Sequence, residues 1–415
     1  MHGRTGAGPQ RQSIPARHDE ARPFEKPHMP LSTPSIMRIL TCNSPYGCGG
    51  LGQHFAQLVE ESRSEGTLRT YYTPRPRTND AKGRQVSRRK WLDLLVRYTP
   101  VRWSLSWQTL LYSDVFDRHV AGLLTGADAS LADASLMGFS GECLHCFNRA
   151  ERVGFDTLEL VSPTSHVSNV KRQHAESMNR HNLGGSWLSG TIERKMLQEY
   201  EKADLIYVHT DYTRRSFLEA GIPATKLRRT HLLVHPRFQP PPERPDDDTF
   251  HIAYVGRVDV TKGIPLLLEA YDRLPIKNKQ LTLVGGWSTR SMRKYIEKWL
   301  ARDLNIRVAP GDPLETLQKA HALVHPTYED GFGYAPMEAL ATGLPVIATQ
   351  DTGMKEYIRE GENGYVVPTG DQDAVVDRLV ALCRAPLATT RSLLPDAYWK
   401  ERDACSTALD ADSTA

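Results

Sequence analysis

Tyr328-Glu329-Asp330-Gly331-Phe332-Gly333-Tyr334-Ala335-Pro336-Met337-Glu338-Ala339-Leu340-Ala341-Thr342-Gly343-Leu344-Pro345-Val346-Ile347 decides how the rest of the chain is read. A strand, Leu323 to His325, precedes it and another, Val346 to Thr349, closes it, so the stretch reads as a glycine turn and a short helix between two strands. Glycines at 331 and 333 allow close backbone approach, and the N–H groups of Tyr334 and Ala335 open the helix toward an anion. An open α/β sheet binds phosphorylated ligands at such a strand end. Asp330 and Glu338 form an Asp-x7-Glu pair, with Glu338 just over one turn into the helix and facing the same cleft. A carboxylate is ill suited to phosphate but accepts hydrogen bonds from ribose or sugar hydroxyls beside a phosphate held by other groups. Alone, Asp330 could be a turn former and Glu338 a solvated helix acid. Gly353-Met354-Lys355-Glu356 at the next strand end favours the site reading.

Outward from this stretch, short strands alternate with longer helices on both sides. Upstream within the same half come His251 to Val255, a helix from Ile264, Leu281 to Val284, a helix from Ser291, Ile306 to Ala309, and a helix near Leu314 to Ala320. Tyr365 to Val367 is expected as a short edge strand. The segment Pro236 to Asp248 carries five prolines and ends in three aspartates, a composition that supplies no buried element and marks a linker at 236–248. Before it lies another series: Arg38 to Cys42, a glycine-rich turn through Gly47, Gly49, Gly50 and Gly52 leading into a helix, Leu68 to Tyr72, and Leu158 to Val161. A helix from Gly190 to Lys202, Asp204 to Val208, a helix from Thr210 to Ala220, and Thr230 to Val234 as the last strand complete it. The alternation implies an α/β fold of two Rossmann-like domains facing across a cleft, 37–235 and 249–394. Residues 395–415, with a short helix opening at Ala397-Tyr398-Trp399, are expected to return to the first domain. Residues 1–36 hold six prolines and no periodic pattern and read as a disordered tail, with Met37 placed to start the folded protein.

At 415 residues the chain exceeds what one core usually fills. Its formal charge of +3 is too small to make nucleic acid the main partner. Six scattered cysteines contain one CxxC, Cys143/Cys146, without the further ligands of a zinc site, so buried thiols in a reducing compartment are expected. No apolar run is long enough to span a membrane, and the first residues lack the apolar stretch of a signal peptide. Positive charge gathers between Arg75 and Arg102, interleaved with Trp91, Leu95, Trp103 and Trp107. Such a region is either a solvated basic face of core-packed helices or a contact for a membrane or an anionic, lipid-linked acceptor.

Other strand ends carry further candidates. Val255-Gly256-Arg257-Val258-Asp259-Val260-Thr261-Lys262-Gly263 sets a guanidinium and an ammonium at the sheet edge, where they can clamp a diphosphate. Gly285-Gly286-Trp287 permits ligand approach, and Arg307 and Val308 lie at another edge where a base could be read.

From about Arg38 to Leu382 the chain resembles the retaining GT-B glycosyltransferases of family 4. The resemblance rests on Gly49-Gly50-Leu51-Gly52-Gln53-His54, Gly256-Arg257 with Lys262-Gly263, Glu329-Asp330-Gly331-Phe332-Gly333, Glu338-Ala339-Leu340-Ala341 and Gly343-Leu344-Pro345-Val346. It implies that a nucleotide sugar, GDP- or UDP-hexose, sits mainly on the second domain as substrate, with no tightly bound cofactor and no need for a metal. Arg257 and Lys262 would stabilise its diphosphate, Gly333, Tyr334 and Ala335 would touch phosphates and sugar, Glu338 would hold ribose, and Asp330 would meet the transferred sugar. Gly49 and Gly50 would close over the phosphates, with Gly286 nearby. Many relatives carry glutamate where this chain has Asp330. The resemblance also assigns His166, just beyond the Leu158 to Val161 strand, a hydrogen bond to the donor sugar, ahead of His54 and His174.

The activity so implied is transfer of a hexose, with mannose from GDP-mannose as the leading donor, to a glycan or glycolipid hydroxyl in polysaccharide or glycoconjugate biosynthesis. A cytoplasmic location follows, with peripheral contact on the inner membrane face and a homodimer left open. Three other accounts compete: an inactive nucleotide-sugar-binding module, a phosphorylase, and a nucleotide-dependent oxidoreductase. The last would need an acid near Leu68 to Tyr72 to hold ribose, and none is there.

Overall fold

The computed structural model describes residues 36–87, 90–124, 134–245, 247–396 and 398–399. The expected N-terminal tail and the terminus beyond Trp399 lie outside the described residues. The first domain holds β1 (Met37–Thr41), α1 (Gly49–Ser64), β2 (Leu68–Thr73), β3 (Gly83–Gln85), α2 (Lys90–Tyr98), α3 (Leu105–Leu123), β4 (Ala134–Phe139), α4 (Leu144–Val153), β5 (Thr157–Val161), α5 (Val167–His181), α6 (Gly190–Lys202), β6 (Leu205–Val208), α7 (Asp211–Glu219) and β7 (Leu227–Arg229). The second holds β8 (Phe250–Val255), α8 (Ile264–Arg273), β9 (Lys279–Val284), α9 (Arg290–Leu300), β10 (Ile306–Val308), α10 (Leu314–Lys319), β11 (Ala322–His325), α11 (Tyr334–Ala341), β12 (Val346–Thr349), β13 (Gly364–Val367) and α12 (Gln372–Arg384).

Both sheets are parallel, in the orders β3-β2-β1-β4-β5-β6-β7 and β10-β9-β8-β11-β12-β13. Helices cover both faces, so central strands are buried throughout: β4, β11 and β12 expose no residue on either side. The GT-B architecture of two Rossmann-like domains is therefore present. In each sheet the strand order reverses, between β1 and β4 and between β8 and β11, and a crevice opens at the carboxyl ends of those strands. The turns entering the two crevices are the ones after β1, β8 and β11, which carry the glycine-rich motifs.

One expectation needs correction. The last strand of the first sheet is β7, not Thr230 to Val234. Thr230 adds one further ladder bond to Val208, after which Leu232 and Val234 bury their side chains in the second domain's cluster with Leu340 and Leu344. That cluster draws the chain off the sheet edge. Tyr398 joins the same cluster, and its hydroxyl accepts from the Val234 N–H. Tyr398 and Trp399 thus pack on the second domain's cluster and reach Val234 of the crossing segment, and the rest of the expected return lies outside the described residues. The central strand β4 and the helices α4 and α5 are elements the sequence reading did not single out; β4 is interrupted by Ser135 and Gly138 and shows no alternation.

The domains meet at the opening stretch itself. The Gly331 carbonyl accepts from Thr210 Oγ1 (2.8 Å) and Thr213 Oγ1 (3.0 Å), and the Glu329 carboxylate accepts from the Ser165 N–H (2.9 Å). A Cβ on Gly331 would lie 2.2 Å from the Pro163 carbonyl oxygen, so the two backbones touch only because this residue is glycine. Glu329, next to Asp330 in sequence, is consequently an interdomain strut.

Candidate active site

A cleft of about 720 Å³ lies between the domains. Gly49, Gly50, Gln53 and His54 line it from the first domain, and Arg257, Lys262, Gly286, Asp330, Tyr334 and Glu338 from the second. Gly333 and Ala335 line it too, so ten of the thirteen site residues expected from sequence converge on one cavity.

Two helices open into this space without a side-chain cap: α1, after Cys48, and α11, after Gly333 in the left-handed region at φ 88°. Their N-terminal amides supply partial positive charge where no side chain competes for it. A Cβ on Gly50 would stand 3.1 Å from the Tyr334 ring, so the starts of the two helices nearly touch. The turns after β8 and β9 are as close: Gly285, at φ 150°, would place a Cβ 1.9 Å from the Gly256 carbonyl. The Tyr254 hydroxyl donates to the Arg257 carbonyl (2.8 Å) and fixes that turn. Arg257 Nε stands 3.3 Å from Asp259 Oδ2, yet both atoms lack a well-aligned hydrogen bond, which leaves the guanidinium able to turn toward an anion.

Lys262 Nζ donates to Asp330 Oδ2 (2.8 Å) and to the Glu329 carbonyl (3.1 Å), and His325 Nε2 lies 3.5 Å from the same Asp330 oxygen. Burial pushes the Asp330 carboxyl up, but Lys262 and His325 outweigh it and hold the group well below the usual carboxylate range. Asp330 is therefore ionised and fixed by its cation. Burial lowers both His54 and His325, so the two imidazoles in the cleft are neutral.

Further along the cleft the chemistry changes. Glu338 is 6% exposed, and burial raises it to about 7, helped by Asp312 and opposed by Arg237 and a hydrogen bond from Gln53. Arg237 Nη1 and Asp312 Oδ2 form an ion pair that also lines the cavity, with Phe238 and Pro313 beside it. Gln53, Arg237, Asp312 and His325 were not among the sequence candidates. His325 ends β11, so the strand-end rule could have found it; Arg237 lay hidden inside the proline-rich crossing.

Three expected residues lie elsewhere. His166 caps α5, its Nδ1 accepting from the Ser168 N–H (3.3 Å), and its ring packs on Tyr200 and Phe217. It borders a separate depression of the first domain, while His54 takes a place in the cleft. Arg307 and Val308 sit on edge strand β10: Val308 packs into the core, and Arg307 faces a hollow beside Pro245 and His251. The strand ends too early for either to reach the cleft, and the following loop, Gly311 to Pro313, does so instead. Cys143 and Cys146 are buried free thiols.

Comparison with known proteins accords with this geometry. Residues 237–392 match the family described as glycosyl transferases group 1. The capsular polysaccharide biosynthesis glycosyltransferase CapM of Staphylococcus aureus is 31% identical over 141 residues, 33% of this chain and 37% of that protein. The O-antigen chain mannosyltransferase B of Escherichia coli is 28% identical over 203 residues, 44% of this chain and 52% of that protein. The chain thus spans about half or less of these relatives' lengths. Sucrose-phosphate synthase of Thermosynechococcus elongatus superposes with a TM-score of 0.66 at 18% identity, covering 91% of this chain and all of that one, a likeness of fold. The second domain's glycine turns, paired cations and acidic helix all lie within residues 237–392, the part that matches glycosyl transferases group 1, and the fold is GT-B.

Proposed function

We propose that this protein transfers a hexosyl group, with retention of anomeric configuration, from a nucleoside diphosphate sugar to a hydroxyl of a glycan or glycolipid acceptor. The observation that carries the reading is the convergence of Arg257, Lys262 and two uncapped helix N-termini on one end of the cleft that continues to a buried Glu338. That end suits a diphosphate, which Lys and Arg bind by charge and fork geometry. Glu338 then accepts from the ribose hydroxyls, and Asp330, ionised beside Lys262, accepts from a hydroxyl of the transferred sugar.

In this mechanism the acceptor oxygen approaches the anomeric carbon on the face from which the diphosphate departs. The bond from anomeric carbon to diphosphate oxygen breaks, the bond to the acceptor oxygen forms, and the acceptor proton passes to the departing diphosphate. The protein's task is to hold an oxocarbenium-like sugar in place and to stabilise the negative charge developing on the leaving group. Arg257, Lys262 and the amides of Tyr334 and Ala335 meet that charge in a site shielded by the first domain.

A guanine donor fits best. With ribose at Glu338, the base falls against Arg237, Phe238, Asp312 and Pro313. Guanine presents adjacent N1–H and N2–H donors to which a carboxylate is complementary, whereas uracil flanks its single N–H with two carbonyl oxygens that repel it. Asp312 is the carboxylate in place, and mannose is the sugar named for one of the relatives, so GDP-mannose is the donor proposed. Hydrolysis and binding of GDP-, UDP- and ADP-hexoses decide the matter. Asp312→Asn should weaken GDP binding about 10- to 100-fold, the cost of a charged hydrogen bond, and narrow the preference over UDP. Preference for UDP in the unaltered protein refutes the assignment of the base; binding of every donor without turnover across glycan acceptors makes the protein a binding module.

A further inference from the structure

Helix α2 is apolar on the wrong side. Leu92 and Val96 face the core, at 1% and 8% exposure, yet Trp91, Leu94 and Tyr98, three and four positions apart on the opposite face, are 49%, 55% and 71% exposed. The turn and helix that follow add Trp103 and Trp107, at 45% and 57%. Five of the ten large hydrophobic side chains exposed among the described residues thus fall between positions 91 and 107. Single exposed apolar residues are ordinary, but a concentration of this kind marks an interaction surface.

The charge within it states what it meets. Arg102 stacks on the Trp103 ring (4.4 Å to its centroid), Arg97 lies over Tyr98 (5.7 Å), and the Arg102 guanidinium also donates to the Arg97 carbonyl. The nearby acid, Asp93, accepts from the Tyr112 hydroxyl (3.0 Å). Tryptophan and tyrosine with arginine, on a helix laid flat against the molecule, is the composition that settles at the boundary between headgroups and acyl chains of an anionic bilayer. The surface also reaches the second domain beside the cleft. Arg290 at the start of α9 stacks on Trp103 from the second domain (5.0 Å), three residues beyond the exposed Trp287, which follows the cleft-lining Gly286.

We infer that residues 91–107 form an interfacial binding surface for an anionic phospholipid bilayer, docking the cleft mouth against the membrane so that a lipid-linked acceptor can enter from it. The bilayer contact does not depend on which donor the cleft takes.

The full chain mixed with vesicles of phosphatidylcholine, or of phosphatidylcholine with phosphatidylglycerol, gives the test by co-flotation. Binding to the anionic vesicles alone, weakened by added salt, is expected. Arg97→Gln and Arg102→Gln should each reduce it about fivefold, the effect of one basic side chain near an anionic surface. Trp91→Ser with Trp107→Ser should reduce it about tenfold or more, with far-ultraviolet circular dichroism and donor binding unchanged. Failure to bind anionic vesicles, or equal binding by both sets of variants, overturns the inference. So does self-association that the tryptophan substitutions abolish, which would assign the surface to a second copy of the chain. Donor binding measured on the same samples keeps a failure here distinct from a failure of the glycosyl-transfer reading.

Discussion

Replacing Lys262 with methionine tests the division of labour in the cleft most directly. The side chain is 24% exposed, with Nζ 2.8 Å from Asp330 Oδ2 and 3.1 Å from the Glu329 carbonyl, so it is held rigidly before any donor arrives. A unit cation about 4 Å from a phosphate charge interacts by about 4 kcal/mol at an effective dielectric of 20. Part of that is present in the bound donor and part develops only as the diphosphate leaves, so the barrier should rise by about 2–4 kcal/mol, or about 30- to 1,000-fold in kcat. The competing explanation is that Lys262 merely neutralises Asp330. A second substitution separates the two, because Asp330→Asn removes the charge needing a partner. If Lys262 serves the leaving group, Lys262→Met/Asp330→Asn stays as slow as Lys262→Met or slower. The assay is initial-rate kinetics with the best donor, kcat and KM resolved, and protein normalised by thermal melting. Recovery of the double variant to within about threefold of the unaltered protein, or a change in KM with kcat intact, refutes the reasoning.

Two other perturbations follow from the same geometry. Glu338, moved by burial from the ordinary 4.5 to about 7, is protonated across mildly acidic pH and ionised above it, so donor affinity should fall as pH drops through about 7; Glu338→Gln should lose that dependence and bind about tenfold or more weakly. The linkage runs the opposite way for stability: the folded state binds the extra proton, so wild-type stability declines as pH rises from about 4.5 to 7, and Glu338→Gln should melt higher at pH 8 by up to about 3 kcal/mol while matching wild type near pH 4.5. Gly331→Ala must move the Pro163 carbonyl by about 1 Å to clear its Cβ, which separates the domains and should cost about 100-fold in turnover; isothermal donor titration and kinetics would show it, and unchanged kcat would show that the domains need not touch there.

Much of this was legible beforehand because parallel α/β domains write their sites at strand ends. Strands from Phe250 to Val367 fell close to where apolar runs lie between glycines and prolines, and Arg257, Lys262, Asp330 and Glu338 entered one cleft because each follows the carboxyl end of a central strand. The misplacements share a cause. His166 also follows a strand end, but that strand, β5, is not one of the two flanking the switch point between β1 and β4, and its side chain is consumed in capping α5. Arg307 lies on an edge strand that stops short. Strand order, not strand identity, separates these cases, and order is set by long-range pairing.

The sequence by itself determined the two α/β series, the crossing between them, and the residues able to handle phosphate and hydroxyls, since these follow from local pattern and side-chain chemistry. Only the tertiary structure decided what those residues face. It pairs Lys262 with Asp330, sets Arg237 and Asp312 beside Glu338, turns Glu329 into a tie to Ser165, and leaves Trp91, Leu94 and Tyr98 of α2 outward. Partners in such contacts are separated by tens to well over a hundred residues, or, for α2, depend on which face the core has already claimed. No periodicity within the chain encodes that choice; it is fixed when the two sheets are packed and their crevices are brought face to face.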